Sequence, residues 1–226
     1  MNPKSVKVGF TTCYLLESDD GYLLIDVGYP GDYEQFCRKL KEKYDVEVEE
    51  INYLLLTHHH DDHCGFATEL LAHSGATLIF HEFALKHLRE GVVERSSEPI
   101  NRRVKFFVGI FEILHDFTYP GVTAREKDLI LEGRKDDEKL LPSLGINGVI
   151  LHTPGHTRDG ISVVLSDGKV FPGDNAMNHW MFNLLGIRKR PIYVQDFSLI
   201  LDSWRRYMEL GGKKIFPAHG KPFPIK

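Results

Sequence analysis

The sequence predicts an α/β fold in which sheets are covered by helices. Three observations predict it. Short apolar runs of strand character alternate with stretches of helical spacing, Gly, Pro, Asn and Asp punctuate the runs, and no internal repeat or low-complexity tract interrupts the pattern. With 226 residues, 42% of them hydrophobic and 27% charged, the chain can bury a sizeable core, and a single domain over 1–226 is expected.

The elements follow in order. "TCYLLES" and "GYLLIDVG" flank Asp19, Asp20 and Gly21 and read as a β-hairpin. Asp32 to Tyr44 places Tyr33, Phe36, Leu40 and Tyr44 at helical spacing, and "INYLLLT" follows as a buried strand. Phe66 to His73 starts a helix, "ATLIFH" is a short strand, and Glu82 to Arg89 is helical. The apolar residues of "VKFFVGIFEILHDF", Val104 to Phe117, cover more than half the helical circumference. That predicts a helix buried on most sides, a flap walling a pocket, or a homodimer contact, and it places a helical flap or insertion near 82–117. "AREKDLILEGRKDDEKL" is a solvated edge around a short strand. "NGVILHT", "GISVVLS" and "KVFPGD" are strands, Gln195 to Leu210 is a helix, and "KKIFPAHG" is the last strand and loop.

Composition narrows the function classes. A formal net charge of -4 offers no bulk basic surface for nucleic acid or an anionic membrane, and no apolar run reaches the length of a spanning helix. The N-terminal "MNPKSVKVGF" has no signal-peptide pattern, and three cysteines, Cys13, Cys37 and Cys64, do not form a disulfide framework. A cytoplasmic protein with a small-molecule partner is expected.

The chemistry concentrates in "THHHDDHCG", Thr57 to Gly65, with four histidines and two aspartates in nine residues after a predicted strand. His58 and His60 point the same way by alternation, with Asp62 and His63 just beyond. Crowded imidazoles and carboxylates repel or lose hydration without a cation, whereas a divalent metal takes both as ordinary ligands. Downstream, "HTPGHTRDG", "FPGDNAMN" and "FPAHG" set His156, Asp174 and His219 at or just after strand ends, each beside a Gly or Pro turn. Together these residues could complete a two-metal site. His59 and Asp61 fall at alternate positions, and His59 reads as a surface or rim residue. Cys64 reads as a small buried thiol, His179 and Trp180 as pocket rim, and His73, His81, His87, His115 and His152 as ordinary.

"THHHDDHCG", "TPGHT", "PGD" and "PAHG", in that order, resemble the metallo-β-lactamase fold superfamily of metal-dependent hydrolases, from Thr12 to Gly220. The resemblance implies a four-layer αββα sandwich of two mixed sheets flanked by helices, with the site along one edge. It implies that His58, His60 and His156 hold one metal and Asp62, His63 and His219 a second, with Asp174 bridging. It also implies a metal-bridging hydroxide as nucleophile, oriented by Asp62, and Asp26 of "LLIDVG" as a hydrogen-bonding support. Asp26 reads equally as a plain strand-end turn residue. Zinc suits the donor set best, with iron or manganese as alternatives.

Departures from the subfamily patterns narrow the expected substrate. The β-lactamases of the fold do not usually carry a bridging Asp where Asp174 stands. The lactonases show a Tyr where Met177 stands, and glyoxalase II carries a C-terminal extension that has no counterpart after His219. The expected activity is hydrolysis of a small ester, thioester or lactone. The alternatives are a phosphodiesterase or nuclease of the same fold, for which "IRKR" at 187–190 is the one basic cluster, an iron-dependent oxidoreductase, and a non-enzymatic metal-binding module.

Overall fold

The computed structural model describes residues 2–225, and all their side chains except those at 110–112 and 114. β1 (Lys4–Val8), β2 (Thr11–Ser18) and β3 (Gly21–Ile25) form an antiparallel meander. The sequence pattern does not single out β1, an edge strand with two lysines, Lys4 and Lys7, in a five-residue run. α1 (Tyr33–Tyr44) buries Phe36 and Leu40 one turn apart and stops where Asp45 turns left-handed at φ 53° and donates its N–H to the Lys41 carbonyl. β4 (Ile51–Leu55) then runs parallel to β3 and delivers the chain to the one-turn helix α2 (Asp61–Cys64).

α3 (Ala67–Ser74), β5 (Thr77–His81) and α4 (Leu85–Glu90) follow, then the two-residue β6 (Glu98–Pro99) and α5 (Arg102–Leu114). β7 (Leu129–Leu131), α6 (Leu140–Ser143), β8 (Gly148–His152), β9 (Ile161–Leu165) and β10 (Lys169–Phe171) come next. The chain ends with α7 (Trp180–Leu184), β11 (Tyr193–Val194), α8 (Phe197–Glu209), β12 (Lys214–Ile215) and β13 (Phe223–Pro224). Among the described residues no helix is long and apolar enough to cross a membrane.

Two mixed sheets result, with strand orders β1-β2-β3-β4-β5-β7 and β13-β12-β10-β9-β8. Strand alternation sorts side chains into layers. Leu15 and Leu24 point outward to Phe36 and Leu40 of α1 and Leu70 of α3, while Leu16, Leu23 and Ile25 point inward to Ile150, Val163 and Phe171 of the second sheet. The far face of that sheet, with Val164, Val170 and Ile215, is covered by Tyr207 of α8. Helices, sheet, sheet and helix make the four-layer αββα sandwich.

One apolar cluster stands apart from these layers. Val104 and Val108 of α5 pack on Ile187, with Ile100, Phe182, Leu185, Ile192 and Tyr193 around them, and β6 pairs with β11 beneath. Ala84 and Leu88, at the start of the 82–117 segment, belong instead to the outer layer. The expectation that the 104–117 helix is buried on most sides is corrected: Phe106 and Ile113 are 79% and 83% exposed. Among the described side chains of α5, Val104 and Val108 form the stripe that packs on the cluster, and the face with Phe106 and Ile113 is left to water. The expected segment extends over side chains 110–112 and 114, which lie outside the described residues.

Leu24→Ala, in a fully buried strand position, should lower unfolding stability by about 2–5 kcal/mol in denaturant titration. Phe106→Ser should change it by less than about 0.5 kcal/mol.

Candidate metal centre

Parallel pairing decides which loops meet. β3 and β4 run parallel, as do β10 and β12, and two successive antiparallel pairings set β8 in the same direction as β10. The C-terminal ends of β4, β8, β10 and β12 carry His58 and His60, His156, Asp174 and His219 respectively to one edge, and α2 adds Asp62 and His63. In the "PGD" turn Gly173 adopts φ +52°, and a Cβ there would lie 2.5 Å from Thr57 Oγ1. Only glycine lets this turn close on the β4 loop.

Two groups of donor atoms form, each with its atoms within 4.8 Å of one another: His58, His60, His156 and Asp174, and Asp62, His63 and His219. His156 Nε2 lies 3.1 Å from His60 Nδ1 and 3.6 Å from Asp174 Oδ2. On the other side, His63 Nε2 and His219 Nε2 each lie 3.2 Å from Asp174 Oδ1, and His219 Nε2 is 3.0 Å from Asp62 Oδ2. Asp174 thus presents one oxygen to each group.

The far nitrogens are fixed by the protein. Asp26 accepts at Oδ1 from the Thr57 N–H (2.7 Å) and at Oδ2 from Thr57 Oγ1 (2.8 Å) and His63 Nδ1 (2.9 Å). Thr57 Oγ1, its proton committed to Asp26, accepts from His58 Nδ1 at 3.1 Å. His156 Nδ1 donates to the Tyr193 carbonyl at 2.8 Å and His219 Nδ1 to the Phe10 carbonyl at 3.1 Å. These bonds select the tautomers that leave Nε2 lone pairs aimed inward. To reach this position Asp26 turns left-handed, φ 58°. It thus both turns the strand end and bonds Thr57 and His63.

The electrostatics differ between the groups. Burial, then the neighbouring imidazoles, hold His58 and His60 well below the usual histidine range, and burial also lowers His156 despite Asp174. His58 Nε2 and His60 Nε2 are buried without any hydrogen-bond partner. In the second group, burial opposes charge on His219, but Asp174 and Asp62 outweigh it and hold the imidazole up at about 10. Burial likewise opposes charge on Asp62, but His63 and His219 bring its carboxyl down to about 2. Neutral orphaned imidazoles on one side and ionised carboxylates balanced by protonated imidazoles on the other are what a cation site shows when protons occupy the cation's place. The donor set fits divalent metal.

Several side chains lie where the sequence reading did not put them. His59, expected at the surface or rim, is 1% exposed. Alternation does turn it away from His58 and His60, but into the neighbouring layer rather than solvent. Its Nδ1 donates to Asp159 Oδ1 (2.9 Å), its Nε2 accepts from the Glu94 N–H (3.1 Å), and its ring stacks on His87 at 4.4 Å. His59, His87 and Glu94 also gather within ligand distance, but both His59 nitrogens are already engaged in hydrogen bonds. His115 is not an ordinary surface histidine: its Nε2 bonds Asp61 Oδ2 at 2.5 Å. Tyr29 also joins the site, its phenol pushed well up by burial and by Asp62, Asp61 and Asp174. Cys64 is buried as expected, donating to the His60 carbonyl, and burial holds the thiol neutral. His179 lies edge-on to Phe10, with exposed Trp180 beside it.

The family profile of the metallo-beta-lactamase superfamily matches residues 6–219. The chain belongs to the metallo-beta-lactamase superfamily. Among curated superfamily relatives, it is 24% identical to a Drosophila melanogaster beta-lactamase-like protein 2 homolog over 97% of its own length and 61% of that protein's. It is 26% identical to a metallo-beta-lactamase fold-containing protein of Sulfurisphaera tokodaii (92% of this chain, 72% of that one) and 25% identical to a probable metallo-hydrolase of Bacillus subtilis (97% and 70%). Of solved structures, a Cronobacter sakazakii metallo-beta-lactamase superposes with TM-score 0.64 at 22% identity over 96% of this chain and 78% of that one. A B3 metallo-beta-lactamase with an active-site glutamic acid superposes with TM-score 0.67 at 18% identity over 100% and 80%. The chain spans under two thirds of the Drosophila protein, and the structural likeness establishes the fold.

Two outcomes are expected. Asp26→Ala should weaken metal affinity about 10–100-fold in chelator competition. The proton on metal-free His219 stabilises the fold fully below about pH 6.5 and is lost as pH rises toward about 10. A bound cation must displace it, so apparent metal affinity should rise with pH across that window. Calorimetry in buffers of different ionisation enthalpy should show proton release on loading near neutrality.

Proposed function

We propose that this chain is a dinuclear metal-dependent hydrolase of a small ester, thioester or lactone. The observation that carries the reading is Asp174, whose Oδ2 faces His156 while its Oδ1 faces His63 and His219. His58, His60 and His156 would hold one ion, Asp62, His63 and His219 the other, and Asp174 both. Zinc suits this set of imidazole and carboxylate donors, with iron or manganese the alternatives for a carboxylate-bridged pair.

When bound, two such ions supply hydroxide at neutral pH and polarise a carbonyl oxygen. The protein's part is to place them and exclude competing nucleophiles. Asp62 is held ionised beside His219 Nε2, so it orients rather than accepts a proton. Cys64 is buried with its thiol neutral and its proton given to a carbonyl, so it is no nucleophile. At the mouth, Phe10 and Trp180 on either side of His179 offer an apolar rim suited to an acyl or aromatic group. In the basic turn at 187–190, Lys189 and Arg190 lie over the Phe223 and Phe197 rings.

Elemental analysis paired with a substrate panel tests this. About two equivalents of metal and chelator-sensitive turnover of a thioester, lactone or aryl ester are expected. Asp62→Ala should keep the fold and lose about 100-fold or more in turnover. One equivalent of iron with oxygen consumption and no hydrolysis, or preference for bis-p-nitrophenyl phosphate, would overturn the reading.

A further inference from the structure

Asp61 opens the one-turn helix α2, whose next two residues, Asp62 and His63, belong to the second group of donors. A four-residue helix has too few internal hydrogen bonds to hold its own orientation, so that orientation must come from outside. Part of it is already described: Asp26 grips His63 Nδ1. In addition, the Val27 N–H bonds the His63 carbonyl at 3.0 Å and Thr11 Oγ1 bonds the Asp62 carbonyl at 3.0 Å. All three act on the Asp62 and His63 end.

The first residue is held from another direction. The Asp61 carboxylate is buried, at 4% exposure, and stands next to Asp62. Two adjacent carboxylates out of water repel unless each has its own partner. Asp62 faces His63 and His219, and Asp61 turns to His115, whose Nε2 lies 2.5 Å from Oδ2. The His115 ring is itself clamped, edge-on to Tyr29 at 5.4 Å and to Phe117 at 4.8 Å, and Phe117 lies under the Arg95 guanidinium. Tyr29 follows Asp26 in the same loop, so the loop after β3 braces both ends of α2, directly at His63 and through His115 at Asp61.

We propose that His115 is a positioning residue for the second metal subsite, acting through Asp61, a role that rests on the ligand reading given above. It sits just past the end of α5, so the bond also ties that helix, packed on the 182–193 segment, to the metal-binding loop. The contact is directed at one subsite. In the other group, His58 is held through Thr57 and His156 through the Tyr193 carbonyl, neither of which involves His115, while His60 caps α2 with its backbone and meets His156 with its ring.

The test is titration of chelator-stripped protein with cobalt(II), whose visible absorption reports ligand geometry, in wild type, His115→Ala, His115→Gln, Asp61→Asn and the Asp61→Asn/His115→Ala double variant. Wild type should take two equivalents. His115→Ala should leave the first unchanged and weaken the second about 10–100-fold. His115→Gln, whose amide can still donate to Asp61, should recover most of the loss, and the double variant should be no weaker than the worse single one. An unchanged second equivalent in His115→Ala, equal weakening of both, or additive losses would overturn the role. Should His115→Ala not fold, Asp61→Asn carries the same comparison, with the second equivalent weakened and the first unchanged expected, and weakening of neither or of both equally overturning the role. A wild-type chain that takes only one equivalent overturns the dinuclear reading itself, an outcome visible before any variant is made.

Discussion

One carboxylate organises the centre. Asp26 accepts three hydrogen bonds, from the backbone and hydroxyl of Thr57 and from His63 Nδ1, and Thr57 passes the constraint to His58. It therefore sets a donor in each group from the end of a strand that is rigid because both neighbours pair with it. The cost is a left-handed backbone at a non-glycine residue, of the order of 1 kcal/mol, which an aspartate bears better than most.

Around that anchor, the balance of charge explains why so many polar groups tolerate burial. The first group is neutral imidazole against a single shared carboxylate. In the second, carboxylates and imidazoles compensate one another through protons that a metal would replace. Asp61, the carboxylate left over, points out of both groups, and its partner comes from a different part of the chain.

The division of the apolar clusters separates chemistry from selection. The donors stand on strand ends of the sandwich, whose layers are continuous. The α5 helix and the 180–194 segment make a satellite cluster of their own beside the site. That unit is tied to the centre at two points, the Tyr193 carbonyl on His156 and the His115 bond to Asp61, and the rest of its apolar surface is free to vary, which is one reason a shared fold does not fix a shared substrate.

The hairpin, the α1 helix and the β4, β5, β8 and β9 strands were legible because each is a local pattern of apolar period, and periodicity survives in a single chain of letters. So were the residues that gather at the centre, since each follows such a strand beside a turn-forming Gly or Pro. The edge strand β1 and the two-residue pair β6 and β11 were not, because their pairing depends on what lies alongside. Nor did periodicity say which α5 face would find a partner, whether His59 would meet water or Asp159, or that His115 would bond Asp61 from 54 positions away. The Tyr193 and Phe10 carbonyls that orient His156 and His219 carry no residue signature at all. The sequence by itself determined the layers and the donor types, because both are written in local spacing and side-chain chemistry. Only the tertiary structure decided who holds each donor in place, because those partners are brought together by packing and are backbone atoms or distant residues with nothing local to mark them.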